Sequence, residues 1–128
     1  MKLEHLQHVV EGEDLIRLYD FNQVDAKRLH DAIMTNLIEQ EQVVHLAALD
    51  FIESVNCTLT LTIASQDQGI RQVGHGAFEC AMSLDGYRQM NALIQPFIDE
   101  PRTGYQWLYD LESDVTPFEF LLSPSGRW

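Results

Sequence analysis

From Cys57 to Ala64 the chain alternates without a break: Cys57, Leu59, Leu61 and Ile63 interleave with Thr58, Thr60, Thr62 and Ala64. A period of two is that of a pleated strand, so this segment belongs in a sheet with one apolar and one polar face. The same pattern returns in residues 77–82, where Phe78, Cys80 and Met82 share one side and Ala77, Glu79 and Ala81 the other. Between them Ser65-Gln66-Asp67-Gln68-Gly69 has the composition of a turn-rich loop. The simplest register is an antiparallel hairpin with Cys57 opposite Cys80 and Leu59 opposite Phe78. Gly76 and Gly74 then face Leu61 and Ile63, where glycine makes room for a large neighbour or marks a bulge. This pairing predicts that the two cysteines are buried neighbours, reduced, and act as small apolar residues. His75, between two glycines, has the opposite parity and shares no site with Cys80.

Two amphipathic helices frame this region. Asn22 caps the first, with Asp25 at the third position, where a carboxylate favours the helix dipole. From there to about residue 40, Ala26, Leu29, Ile33, Met34, Leu37 and Ile38 fill one half of the helical wheel, and Arg28, Asp31, Thr35 and Glu39 lie in the other. Ser83 caps the second, in which Leu84, Tyr87, Met90, Leu93, Ile94, Phe97 and Ile98 share a face. Pro96 lacks the N–H that its last turn would use, which predicts a kink or a tightened turn there. Apolar residues recur at equal offsets from the two caps, as they do in any two core-facing helices.

The remaining segments read as strands. Residues 3–10 and 15–21 form a hairpin about the turn Glu11-Gly12-Glu13-Asp14, and the continuous apolar run 43–51 suits an interior strand. Tyr105, Trp107, Tyr109 and Leu111 alternate, and after a turn ending in Pro117 so do Phe118, Phe120 and Leu122. That predicts a terminal hairpin with one aromatic face. Trp128 is left to fold back onto a groove or to trail. The order is ββα-βββα-ββ: a single α+β domain over residues 1–128, with one largely antiparallel sheet of about six to seven strands and two helices on one face.

Charge is the unusual global property. Twenty Asp and Glu against eight Lys and Arg give a formal charge of −12. Such a surface repels phosphate backbones, which argues against nucleic acid, and it speeds encounter with a basic protein. No apolar run approaches the ~20 residues of a membrane-spanning helix, and the first residues lack a signal-peptide pattern, so a cytoplasmic location is expected. Reduced thiols fit that compartment.

Sites of chemistry are sparse. His5 and His8 are three apart; on a helix they would share a face, on a strand they point to opposite faces, and no third metal ligand is recognisable nearby. His30 on the first helix and His45 in the apolar run read as boundary or core imidazoles. Asp110, Glu112 and Asp114 are spaced two apart, but the glycine and distal Glu of a calcium loop are missing. No nucleophile elbow and no phosphate-binding glycine fingerprint occurs, so no catalytic residue, metal or cofactor is expected.

Three functions fit this sequence. The first is an acidic protein-binding module that neutralises a basic partner, docking through Asp110, Glu112, Asp114 and Glu119 on the terminal hairpin and Thr60 on the polar sheet face. Small size, strong acidity and absent catalytic motifs are shared with immunity and antitoxin proteins as a functional class, a likeness of bulk properties alone. The second is a small-molecule-binding or enzymatic domain with a pocket between helices and sheet, lined by Tyr87, Trp107, Tyr109 and His30. The third is a homo-oligomer joined through the aromatic hairpin. The acids have a further reading, as charges that keep an edge strand from pairing with other chains.

Overall fold

The computed structural model describes residues 1–10 and 12–127. Glu11 and Trp128, assigned above to a turn and a tail, lie outside the described residues. In chain order the elements are β1 (Lys2–Val10), β2 (Glu13–Tyr19), α1 (Gln23–Ala32), β3 (Val44–His45), β4 (Glu53–Ser54), β5 (Thr58–Ile63), β6 (Gly69–Gly74), β7 (Ala77–Met82), α2 (Leu84–Asp99), β8 (Gln106–Trp107) and β9 (Phe118–Ser123). The class is α+β, but the strands form two mixed sheets rather than one largely antiparallel sheet. One sheet has the order β4-β1-β2-β9-β8 and the other β3-β5-β7-β6.

Both departures from the expected sheet arise because a local hairpin gives way to a distant partner. β5 and β7 are parallel, not antiparallel, with Leu59 beside Phe78 and Leu61 beside Cys80. The antiparallel partner of β7 is β6, which Gly74-His75-Gly76 joins to it in a tight turn. Gly76 has φ +66, a left-handed conformation that glycine adopts freely. The two cysteines are therefore not neighbours. Cys57 precedes by four residues the Leu61 that pairs with Cys80, roughly 13 Å along a strand. Likewise the contact of residues 105–112 with β9 is short, Gln106 and Trp107 pairing with Leu122 and Leu121 and Leu108 N–H donating to the Phe120 carbonyl at 2.8 Å, while β9 runs parallel to β2 along its whole length.

The run 43–51 is not an interior strand. Val44 and His45 pair with Leu61 and Thr60, and then a 3-10 turn, Leu46–Ala48, takes over. Leu49 N–H donates to the Leu46 carbonyl at 3.1 Å and Ile52 N–H to that of Leu49 at 3.0 Å. Alanines at 47 and 48 have little to hold a strand, so the backbone folds on itself.

The helices follow their caps. Asn22 Oδ1 accepts from Asp25 N–H at 3.0 Å and Asp25 Oδ2 from Asn22 N–H at 3.4 Å, a reciprocal capping box. Beyond Ala32 the helix widens into a π segment, Ile33–Glu39, closed by Gln40 N–H to the Thr35 carbonyl. Beside that junction Asn91 Nδ2, buried on α2, donates 3.2 Å to the His30 carbonyl. α1 and α2 pack on each other; α2 lies against β7, and the π segment against β3 and β5. One apolar cluster joins Ile16, Leu18, Phe118 and Phe120 of the five-stranded sheet to Leu59, Leu61, Phe78 and Met82 of the other and to Leu29, Ile33, Tyr87 and Ile94 of the helices.

Candidate acidic groove

A groove of about 640 Å³ opens between the start of α2 and the segment 106–111. Met82, Gly86, Gln89 and Leu93 form one wall, and Trp107, Leu108, Tyr109 and Leu111 the other. Three carboxylates, Asp67, Asp110 and Glu119, line it, and no Lys or Arg does among the described residues.

Each wall is held in place from below. Asp67 Oδ1 accepts from Ser83 N–H at 2.9 Å and from Ser83 Oγ at 2.8 Å, while Ser83 Oγ accepts from Gly86 N–H at 3.0 Å. The loop carboxylate thus braces the residue that caps α2. A Cβ on Gly86 would run into Asp67 Oδ1, so glycine lets the first helical turn close against the acid. On the opposite wall the Tyr109 hydroxyl donates to the Phe118 carbonyl at 2.5 Å and accepts from Ile70 N–H at 3.3 Å. Thr116 Oγ1 donates to the Ile70 carbonyl at 2.5 Å. These bonds tie β6 of one sheet to β9 of the other beneath the groove. Burial pushes the Tyr109 hydroxyl far above the usual phenol range, so it stays a donor.

The cation side of the balance lies elsewhere. Seven of the eight Lys and Arg side chains hold an acidic partner: Lys2 with Asp20, Arg17 with Glu4, Lys27 with Asp31, Arg28 with Asp50, Arg71 with Glu79, Arg88 with Asp85 and Arg102 with Glu100. None of those pairs includes Asp67, Asp110, Glu112 or Asp114.

The structure divides the residues singled out above. Asp110 and Glu119 meet in the groove. Glu112 and Asp114 are exposed in the turn beyond it, outside the lining. Thr60 belongs to the other sheet, where its hydroxyl sits 3.1 Å from His45 Nδ1. His45 is exposed, contrary to the core reading, because it points away from the buried Val44 and Leu46 on either side. His30 is a boundary residue, and His75 is exposed in its turn. The pocket of Tyr87, Trp107, Tyr109 and His30 does not form: Tyr87 is buried, its hydroxyl 2.7 and 2.8 Å from the Thr62 and Cys80 carbonyls. Trp107 and Tyr109 do line the groove. Asp67 carried no signal as a site residue, because its partner Ser83 lies sixteen positions on.

A second polar cluster sits on the β1–β2 hairpin. β1 is a strand, yet His5 and His8 do not diverge: an irregularity between Leu6 and Val10, with φ +52 at His8, turns both toward Asp14. His5 Nε2 lies 2.8 Å from Asp14 Oδ2, and His8 donates its N–H to Asp14 Oδ1 at 3.1 Å. The His5 ring packs on Phe78 at 4.8 Å. Among the described residues no three His, Cys, Asp or Glu side chains converge to hold a metal ion. Also among them, no helix is long and apolar enough to cross a membrane.

Comparison with known proteins finds no matching family model, no matching curated protein and no matching solved structure.

Proposed function

We propose that this chain is a small acidic protein-binding module that docks a basic protein in the cytoplasm, through the groove between α2 and residues 106–111. One observation carries the reading: three carboxylates share a concave surface with apolar and aromatic side chains, and no Lys or Arg lines it among the described residues. Elsewhere the surface pairs its acids with nearly every available Lys and Arg. Opposite charge from a partner would supply what the groove lacks and speed encounter. Glu112 and Asp114 extend the negative field beside it. Neutralisation of that basic protein is the role such a surface serves best, and the same field disfavours nucleic acid.

Association kinetics test this. Stopped-flow mixing with a lysine- and arginine-rich peptide should give a rate that falls steeply with salt. Asp110→Lys with Glu119→Lys should fold and associate at least tenfold more slowly at low salt. Association that ignores both salt and the double variant rejects the proposal.

The groove also supports a second reading, because its volume lies in the range of small-molecule sites, about 300–1,000 Å³. Saturable binding of a small cation with no affinity for basic peptides would favour it.

A further inference from the structure

The chain repeats one arrangement on its own surface. Arg17 lies over the Tyr19 ring at 4.0 Å and pairs with Glu4 at 2.7 Å. Arg28 lies over Phe51 at 4.6 Å and pairs with Asp50 at 2.5 Å. Arg102 lies near Phe97 at 6.0 Å and pairs with Glu100 at 3.3 Å. In each case a guanidinium lies over an aromatic ring and also pairs with a carboxylate. The groove presents the same two ingredients, Trp107 with Asp67 and Asp110, and no arginine of this chain lines it among the described residues.

We infer that the groove is an arginine-selective pocket, taking the side chain of one arginine from the basic protein partner. This rests on the docking function proposed above and specifies its anchor. The backbone of Trp107 pairs with that of Leu121, and the Tyr105 ring stands beside its ring, centroids 5.8 Å apart at 72°. The strand pairing thus holds the Trp107 backbone at the groove wall before a ligand arrives. Asp67 is equally fixed: Ser83 engages its Oδ1, and Oδ2 holds no hydrogen bond among the described residues. Leu93 and Leu111, half-buried in the two walls, offer apolar surface to the three methylenes of an arginine stem.

Lysine suits this site less well. A guanidinium is planar, weakly hydrated, stacks on an indole and reaches a carboxylate with two parallel N–H donors. An ammonium is a compact, strongly hydrated point charge that leaves the indole face unused. Tryptophan is the best of the aromatic side chains for holding a cation.

The test uses the full chain and two blocked peptides, one of four Gly-Arg repeats and one of four Gly-Lys repeats, titrated calorimetrically at low salt. The arginine peptide should bind roughly tenfold tighter than the lysine peptide. Trp107→Ala should weaken the arginine peptide more than the lysine peptide and bring the two affinities together, and Trp107→Phe should restore part of the difference. The Phe variant keeps the test decisive if the alanine protein fails to fold. Asp110→Asn with Glu119→Gln should weaken both peptides. Equal binding of the two peptides, with the acidic variant still impaired, overturns arginine selection and leaves the acidic docking surface standing. Absence of binding by either peptide overturns both. Free guanidinium binding as tightly as the arginine peptide assigns the pocket to small cations and overturns the protein partner.

Discussion

Asp14 shows how a partly buried acid is kept charged. Burial works against its carboxylate, but the His5 hydrogen bond, the His8 N–H and the charge of both imidazoles outweigh it, so its pKa falls below the ordinary 3.8. A group depressed by folding contributes stability that is complete above its unfolded pKa and is lost as pH falls through the folded one. The window here lies below pH 3.8, and Asp14→Asn should make the acid-side fall in urea midpoint shallower there. An unchanged acid limb would show that the cluster contributes nothing to folding. The thiols give a second test. Burial pushes Cys57 to about 11, with Glu4 adding to it, and Cys80 to about 12. Labelling by a maleimide at pH 7 should be slow in the native protein and fast in denaturant, since the thiolate is the nucleophile. Rapid native labelling of either cysteine would contradict the buried placement.

At the scale of elements, the ties between the sheets govern the groove. Gly69 begins β6 with φ +72, and a Cβ there would stand 2.7 Å from Thr116 Cγ2. Gly69→Ala combines a left-handed backbone with overpacking and should cost about 2–4 kcal/mol in urea unfolding. Tyr109→Phe leaves Ile70 N–H and the Phe118 carbonyl without their buried partner and should cost about 1–3 kcal/mol. A loss below the measurement error in both would mean that the sheets are not joined there. None of this was legible beforehand, and the reason is physical. Alternation states which side of a strand is apolar, so the inward faces of Leu59, Leu61, Phe78 and Cys80 were readable, as were the caps Asn22 and Ser83. Alternation does not state which strand lies alongside. β6 was missed because only Gly69 and Ile70 are buried and Arg71 to Gly74 are exposed, which erases any period. Its insertion turns the expected hairpin of β5 and β7 into a parallel pair. For the groove, Asp110 and Glu119 were readable as acids beside aromatics, whereas Asp67 enters from a loop that only the tertiary fold brings near.

For the molecule as a whole, −12 of formal charge is distributed unevenly once the ion pairs are drawn. Exposed pairs such as Lys27 with Asp31 are worth roughly 0–1 kcal/mol, yet they neutralise their surroundings. Asp110, Glu112 and Asp114 have no such partner among the described residues, so their mutual repulsion stands whenever the surface is bare. Repulsion between exposed charges is screened over a Debye length, which shrinks from ~30 Å at 0.01 M to ~3 Å at 1 M salt. The free protein should therefore grow more stable as sodium chloride rises through that range, by a few tenths of a kcal/mol for each acid in the cluster. Glu112→Lys should raise the melting temperature at 0.01 M salt and leave it unchanged at 1 M, because the substitution removes a term that salt has already removed. Glu39→Lys, also exposed but away from the 110–114 turn, serves as the control and should raise the low-salt value less. A basic peptide bound in the groove should mimic the salt effect, adding stability by mass action and by neutralising the same acids. Equal effects of Glu112→Lys and Glu39→Lys at low salt would show that the field is spread over the whole surface, and the acids of 110–114 would then have no special claim on a partner.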